Sequence, residues 1–246
     1  MRIVFGVFLA ILSFSNSIAG DTDKLAILGY SKDAHYFAFE SYGVADGSGL
    51  GYSEIYIIDV RANAWVPGSP IRMRGEDENL TQAFARAGAR KMAAPILSKF
   101  GVEVPAIILA QNPITEIVAD RRRMEFDSFH KGFGNSTVAP GEAADNRFVL
   151  TLTDYPLGAN SDCSSETGAR HGFSVQVKQT LSGKTLVAHR DTSVPTSRGC
   201  PSAYEIEAVV ATDDDATVGV IAIIAYYTQG FEGPDRKYIA VPFNLP

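Results

Sequence analysis

The stretch that decides the fold covers residues 25–60 and reads LAILGYSKDAHYFAFESYGVADGSGLGYSEIYIIDV. A short apolar run leads to turn residues at 31–33, and an alternating segment follows at 36–40. After a loop rich in Gly and Asp, a second alternating segment occupies 54–60. Aromatic and β-branched residues that recur at every second position between turns indicate half-buried antiparallel strands. The stretch therefore predicts a β-meander, and it contains no catalytic motif.

The composition is that of a globular protein. The chain has 246 residues, of which 46% are hydrophobic and 20% are charged, so it can bury a substantial core within one domain. Its formal net charge is −6, and its one basic run, at 121–123, lies among acidic residues. A nucleic-acid-binding surface normally carries a basic field. We therefore expect a protein that does not bind nucleic acid.

The first 19 residues have the features of a secretory signal peptide. Arg2 supplies a positive start, residues 3–14 form an apolar core, and Ser17 and Ala19 are the small residues that a signal peptidase reads. The apolar core is shorter than the roughly 20 residues that a membrane span needs. No cysteine follows directly, so a lipid anchor is not indicated. We expect cleavage after Ala19 and a periplasmic or secreted protein without a membrane anchor.

The cysteine content is typical of an oxidising compartment. Cys163 and Cys200 are the only two cysteines, and outside the cytoplasm such a pair favours a disulfide. A zinc site is the alternative, but it normally requires closely spaced cysteines or histidines. We predict a Cys163–Cys200 bridge.

One segment has helical rather than strand periodicity. Leu80, Ala83, Phe84 and Ala87 recur at helical spacing, and Asn79 stands three residues before Gln82, as in a capping box. We predict a helix at about 79–100 whose apolar stripe packs on a sheet.

The rest of the chain predicts strands. A short strand is expected at 115–119, and residues 218–227 form the most apolar stretch after the signal peptide. A strand of that kind belongs in the centre of a sheet that is covered on both faces. Trp65, the only tryptophan, lies beside a Pro-Gly turn and is interpreted as a cap on the hydrophobic core.

No motif for catalysis, a cofactor or a metal is recognisable. Residues 183–185 read GKT but lack the other glycine of a phosphate-binding loop, and they fit a hairpin turn better. Ser128 and Lys131 have the spacing of a serine–lysine pair, but no helix carries them. Metal-ligand spacing is absent among the four histidines, which are His35, His130, His171 and His189. We therefore name no catalytic residue, no metal ligand and no cofactor.

Two stretches near the C-terminus are candidates for binding. Residues 230–236 contain two glycines and a proline, from which Phe231, Glu232, Asp235 and Arg236 could project as a ligand-binding loop. The simpler interpretation is a rigid turn tied by a contact of Arg236 with Asp235 or Glu232. Arg198, beside the second cysteine, is expected to bind a carboxylate of the protein itself or to join the binding loop.

The chain resembles a family of predicted secreted bacterial proteins that is defined as a domain of unknown function. The resemblance is carried by LGYSKDAHYFAFESYGVADGSG from 28, YSEIYIIDV from 52, NPITE from 112, SRGCP from 197 and QGFEGPDRKYIAV from 229. It implies export in a Gram-negative bacterium and a single domain, and it brings no activity. The meander at 31–59 also resembles one blade of a periplasmic β-propeller, with Ala34 where the blade turn usually has Gly.

These observations lead to an expected fold and two hypotheses on function. We expect a signal peptide at 1–19 and a single, mainly β domain at 20–246 with one helix. The domain would be either an incomplete propeller or a distorted two-sheet sandwich. The leading hypothesis is a non-catalytic module that binds a protein or glycan of the cell envelope. The alternative is a periplasmic hydrolase whose site is assembled from the loops at 130–146 and 229–236.

Overall fold

Three antiparallel sheets and one α-helix make up the described part of the protein. A computed structural model describes residues 20–75, 77–128, 146–157, 163, 170–212, 218–230 and 232–246. The predicted signal peptide and most of the loop at 130–146 lie outside these ranges. The helix, α1, is Gln82–Lys99. Within the described residues, no helix is long and apolar enough to cross a membrane.

Each sheet takes its strands mainly from one part of the chain. The first, called the helix-side sheet, has the order β4-β3-β2-β1-β6 with β5 on β3, and its strands are β1 (Lys24–Ser31), β2 (Tyr36–Val44), β3 (Gly51–Asp59), β4 (Ala64–Trp65), β5 (Ile71–Met73) and β6 (Val102–Val104). The outer sheet has the order β11-β10-β9-β8 and contains β8 (Arg123–Asp127), β9 (Arg147–Pro156), β10 (His171–Gln179) and β11 (Thr185–Arg190). The central sheet has the order β14-β13-β12-β7 and contains β7 (Ala106–Gln111), β12 (Pro201–Thr212), β13 (Ile221–Gln229) and β14 (Pro234–Pro242).

The layers stack in the order helix, helix-side sheet, central sheet, outer sheet. One core cluster joins the central sheet to the outer sheet, through residues such as Ile224 and Phe173. A second joins the central sheet to the helix-side sheet, through residues such as Ile223 and Phe37. The five consecutive residues 221–225 of β13 are all fully buried. The prediction of a central strand covered on both faces is confirmed.

The fold class expected from the sequence is confirmed as mainly β with a single helix among the described residues. The arrangement is consistent with a distorted sandwich, but it has three sheets where two were expected. None of the described sheets closes on itself, and the similarity to a propeller is not supported. Ala34 does adopt the left-handed backbone that such a turn requires, with φ at 55°.

Helix α1 is present where the periodicity predicts a helix, but its buried face is different. Ala85, Ala89 and Ala93 are fully buried against the sheet, whereas Phe84 is 61% exposed. The predicted stripe through Phe84 is therefore wrong. Only small side chains fit on the buried face because the helix lies very close to the sheet. A Cβ on Gly51 of β3 would come within 2.3 Å of the Gln82 nitrogen.

The N-terminal cap of α1 also differs from the prediction. The cap is Thr81, whose Oγ1 accepts a hydrogen bond of 3.2 Å from the Phe84 amide. Asn79, the predicted cap, donates to Asp77 instead. Pro95 lies inside the helix without ending it.

The predicted strand at 115–119 is a turn. Its shape is held by Arg121, whose guanidinium donates to the carbonyls of Asn112, Pro113 and Glu116 at 2.5–3.0 Å. Because Arg121 binds these carbonyls, they do not depend on hydrogen bonds from a neighbouring strand. This part of the chain therefore connects the central and outer sheets as an ordered loop.

A buried carboxylate joins α1 to the sheet beneath it. Glu40 on β2 is fully inaccessible, and its two oxygens accept hydrogen bonds of 2.7–3.0 Å from Arg86 and Arg90 of α1. Ser53 on β3 donates a further bond of 2.9 Å. Burial by itself raises the pKa of the Glu40 carboxyl, but the hydrogen bonds outweigh it and hold that pKa below its usual value. The carboxylate is thus ionised and tied to three partners.

The predicted disulfide is confirmed. The sulfurs of Cys163 and Cys200 are bonded, and their Cα atoms lie 5.8 Å apart. The bridge fixes residue 163 to the start of β12.

Replacing both cysteines by serine should lower the free energy of unfolding by up to about 4 kcal/mol, because the unfolded chain gains the entropy of a loop of roughly 38 residues. Urea unfolding of the Cys163→Ser, Cys200→Ser double variant measures this. Wild-type protein treated with reductant should show the same loss. An unchanged midpoint in both samples would contradict the prediction.

Removing the two arginines that bind Glu40 should be more damaging than removing Glu40. The double variant Arg86→Met, Arg90→Met leaves a buried, unpaired carboxylate and should lose about 3–5 kcal/mol at pH 7. Glu40→Ala leaves two partly exposed guanidinium groups that water can solvate, so its loss should be smaller.

The unpaired Glu40 should also have a raised pKa in the folded arginine variant. Its loss of stability should therefore shrink as the pH falls from 7 to 5, where protonation removes the buried charge. Urea unfolding at both pH values tests this, with Arg61→Met, an exposed position, as the control. Equal losses in the arginine variant and in Glu40→Ala would contradict the asymmetry.

Candidate functional site

Several polar groups converge on a cavity of about 450 Å³ where the three sheets meet. We call it the three-sheet cleft. One wall belongs to the helix-side sheet and includes Phe39, Glu54, Tyr56, Ile58, Trp65 and Arg72. The opposite wall belongs to the outer sheet and the segment after it, with Phe173, His189, Asp191, Ser197 and Arg198. Between them lie Tyr226 and residues 237–241 of β14. The volume falls in the range of small-ligand sites.

The wall on the helix-side sheet is aromatic and has one carboxylate. Strand alternation turns Glu54 and Tyr56 of β3 to the same side, and β4 adds Trp65 opposite Ile58. The Tyr56 hydroxyl donates to Glu54 at 2.5 Å, and Arg74 donates to the same carboxylate at 2.9 Å. The Tyr56 and Trp65 rings are 5.7 Å apart.

Trp65 lies at the rim of the cleft and is 44% exposed. Its interpretation as a cap on the core is therefore wrong. Because β4 has only two residues, the Trp65 ring stays at the edge of the sheet, where no other layer covers it fully. The indole is available for contact with a ligand, as tryptophans at binding surfaces commonly are.

The opposite wall is organised around Asp191. This carboxylate accepts hydrogen bonds from Arg198 at 2.6 Å and from the Phe173 amide at 3.1 Å, and His189 lies 2.9 Å from its other oxygen. Burial by itself raises the pKa of Asp191, but His189 and Arg198 hold it below its usual value. Arg198 also donates to the Tyr204 hydroxyl at 3.1 Å. The internal carboxylate expected for Arg198 is therefore Asp191.

Among the described residues, Lys237 is the cation of the cleft that has no carboxylate within 4 Å, although its charge helps to lower the pKa of Asp23. It lies half-buried on β14 and forms no ion pair with any residue in the described ranges. Arg198 and Arg72, by contrast, are within 4 Å of Asp191 and Glu54. The cleft therefore offers one ammonium group for an anionic part of a ligand.

A second depression, of about 490 Å³, continues from the cleft. The two cavities share Ser197, Arg198, Tyr226 and Lys237, and the outer one extends to Gln229 and Asp235. A ligand longer than one residue or one sugar can therefore follow a continuous path.

The structure brings together only part of the predicted binding loop. Arg198 and Asp235 line the same outer depression, and Glu232 is exposed. Phe231 and nearly all of the loop at 130–146 lie outside the described residues.

Arg236 does not project into solvent and does not tie the turn to Asp235 or Glu232. It is 3% exposed, and its guanidinium donates to Glu207 at 2.5 Å and to the Tyr227 hydroxyl at 3.1 Å. The turn is closed by its own backbone, from the Gly230 amide to the Gly233 carbonyl. Strand alternation in β14 decides this, because it turns Arg236 under the helix-side sheet while Asp235 and Lys237 face the other way.

A buried polar network lies behind the cleft. Arg236 also donates to the Tyr238 hydroxyl, which in turn donates to the Asp23 carbonyl at 3.0 Å. The Asp23 carboxylate accepts hydrogen bonds from Ser41 and Tyr52. Burial raises the pKa of Asp23 to about 6, and the two hydrogen bonds offset only part of that rise.

Sequence reasoning missed Glu54, Tyr56 and Lys237 as site residues. The i, i+2 spacing of Glu54 and Tyr56 shows that they share a face of β3, but not what that face meets. Lys237 lies about 180 residues further along the chain, and only packing reveals that these groups line one cavity.

These features define a mainly β protein of three stacked sheets, with one disulfide and a cleft where the sheets meet. The chain belongs to the DUF2259 family of predicted secreted proteins, whose family model matches residues 38–244 and whose function is unknown. No curated protein and no solved structure matches the chain. The match contains every residue named above as lining the cleft, and the family description agrees with the predicted secretion.

Asp23 should make stability depend on pH. Its folded-state pKa of about 6 exceeds the ordinary value of 3.8, so the folded state binds the proton more tightly. Asp23 therefore favours folding below about pH 4, and this contribution is lost as the pH rises through 6. Asp23→Asn should remove roughly 2–3 kcal/mol of this dependence between pH 4 and pH 7, as measured by urea unfolding.

Asp33→Asn is the matched control for Asp23. A hydrogen bond from Ser31 is the main cause that lowers the pKa of the exposed Asp33 carboxyl, so this substitution should change the pH dependence in the opposite direction. Identical pH profiles for wild type and Asp23→Asn would show that Asp23 does not titrate in this range.

Proposed function

We propose that this protein is a non-catalytic binding module of the bacterial periplasm, exported by a signal peptide that is cleaved after residue 19. Its ligand site is the three-sheet cleft. The observation that carries the proposal is the combination, in one cavity, of the exposed Trp65 ring with the unpaired Lys237 ammonium. An aromatic surface gives binding energy and a fixed charge gives orientation, which is the usual composition of a ligand site. The ligand accordingly has both an apolar and an anionic part.

The charged groups of the cleft favour binding over catalysis. A general acid or base needs a proton that it can exchange at neutral pH. Asp191 is instead held ionised by Arg198 and His189, and Glu54 accepts from Tyr56 and Arg74. Both carboxylates are therefore bound by side chains of the protein itself, which supports a role in shaping the walls.

A hydrolase is the second candidate, because Ser197, His189 and Asp191 all line the cleft. In a serine triad the histidine binds the carboxylate through one ring nitrogen and the serine through the other. His189 contacts Asp191 through Nε2, but among the described residues it forms no hydrogen bond with Ser197. Arg198 also neutralises the carboxylate that would have to stabilise an imidazolium. Among the described residues, Ser197 therefore has no contact with the histidine that would activate it, which favours the binding module.

A photo-reactive amino acid at position 65 should form covalent adducts with the ligand in living cells. The same group at position 84, an exposed aromatic site on α1, is the matched control and should give none. Lys237→Glu should reduce the adducts from position 65 at least tenfold, because it reverses the free charge. Equal adduct yields from positions 65 and 84 would contradict the cleft as the binding site.

A fluorophosphonate probe separates the two candidates, since it labels serines that are activated for catalysis. We expect no labelling of the purified protein. Labelling that disappears in Ser197→Ala and in His189→Ala would show a hydrolase in place of a binding module.

A further inference from the structure

The floor of the cleft is the edge of a strand. Residues 237–241 of β14 all line the cavity, although successive side chains of a strand point to opposite faces. Ile239 and Val241 pack toward the outer sheet, and Tyr238 and Ala240 toward the helix-side sheet. A cavity that touches both sets must lie beside the strand and not above one face. The cleft is therefore the space next to β14 in the plane of the central sheet.

The backbone of β14 presents hydrogen-bonding groups to this space. The Arg236 amide donates to Asp21 and its carbonyl accepts from Asp23, so both groups point away from β13. The Phe243 amide donates to Val220 and thus points the other way. Because strand backbone groups alternate and no bulge interrupts the β13–β14 register, the amides and carbonyls of Tyr238 and Ala240 also point away from β13.

This edge is open in the described structure. β14 is the last strand of the central sheet, and beyond the bridge between Thr22 and Arg236 no described strand pairs with it. The unpaired part of the β14 edge begins after that bridge and ends at Pro242, which has no amide donor. In most proteins an unpaired strand edge is covered or made unsuitable for pairing, because another strand could otherwise pair with it. Here the two neighbouring sheets project past it and leave a slot.

We propose that an extended peptide segment of an envelope protein binds in this slot and adds to β14 as a further strand of the central sheet. The proposal rests on the proposed function and names the ligand class of the same site. Main-chain hydrogen bonds to Tyr238 and Ala240 hold the segment, as in other cases of strand addition. Residues 237–241 span about 13 Å, enough to pair with some four or five residues of a partner.

The two walls specify which side chains the segment carries. Alternate side chains of an added strand point toward the two neighbouring sheets. On one side they meet the rings of Tyr56 and Trp65, and on the other they meet the unpaired Lys237 ammonium. The segment therefore alternates apolar with acidic residues. A glycan could use the aromatic wall, but it has no repeating backbone that matches the amides and carbonyls of a strand edge.

The test uses wild-type protein that begins at Gly20 and a set of hexapeptides in which Val, Leu or Phe alternates with Glu. Binding is measured by fluorescence anisotropy, with Lys in place of Glu as the charge-reversed control. At least one peptide of the Glu set should bind, and its Lys counterpart should bind at least tenfold more weakly. N-methylation of single peptide amides should weaken binding tenfold or more at every second position only, because only alternate amides face β14.

Protein variants provide an independent readout. Ala240→Pro removes an amide that points away from β13, so it should abolish binding and leave the thermal unfolding midpoint nearly unchanged. On complex formation, the amides of Tyr238 and Ala240 should become protected from hydrogen exchange.

The outcomes distinguish this inference from the proposed function. Strand addition would be overturned if peptides bind but N-methylation has no effect, or if an oligosaccharide of N-acetylglucosamine binds and no peptide does. In either case, loss of the observed binding in Trp65→Ala would show that the cleft is still a binding site. If no peptide and no oligosaccharide binds, strand addition is overturned. If position 65 also gives no adducts in cells, the proposed function is overturned with it.

Discussion

Burial of the central sheet on both faces is the constraint on which the rest of the structure depends. Five consecutive residues of β13 are inaccessible to solvent, so both sides of that strand need an apolar cover. The helix-side sheet supplies one cover and the outer sheet supplies the other. Apolar residues on both faces of the helix-side sheet then require α1, whereas the outer sheet turns polar residues such as Gln176 and Lys178 to solvent. The order of the four layers follows.

Buried ion pairs fix α1 on the sheet beneath it and brace the central sheet. Glu40 ties α1 to the helix-side sheet through two arginines, and Glu207 binds Arg236 within the central sheet, next to the Asp23 network. A buried carboxylate is tolerated only where its cation reaches it. The Glu40 contacts therefore restrict how α1 sits on the helix-side sheet, and the Glu207–Arg236 pair links β12 to β14 across β13.

The cleft results from a mismatch in width between the layers. The two covering sheets extend past β14, so the central sheet ends in a slot and not at the surface. A strand edge at the surface is a hazard for aggregation, whereas one inside a slot is accessible only to a chain of matching shape. The walls add an aromatic side, a cationic side and a continuation toward Asp235. The site is built from residues as far apart in the chain as Phe39 and Val241, with no local motif.

The sequence by itself determined the features that depend on local pattern or composition. Period-two alternation predicted the strands, helical spacing predicted α1, the apolar run predicted the central strand, and two cysteines predicted their bridge. Tertiary structure decided which faces meet. It buried the alanines of α1 and exposed Phe84, since the close approach of the sheet excludes large side chains. It directed Arg236 to Glu207 and Arg198 to Asp191, because the choice of ion partner depends on distances between segments that only packing brings together.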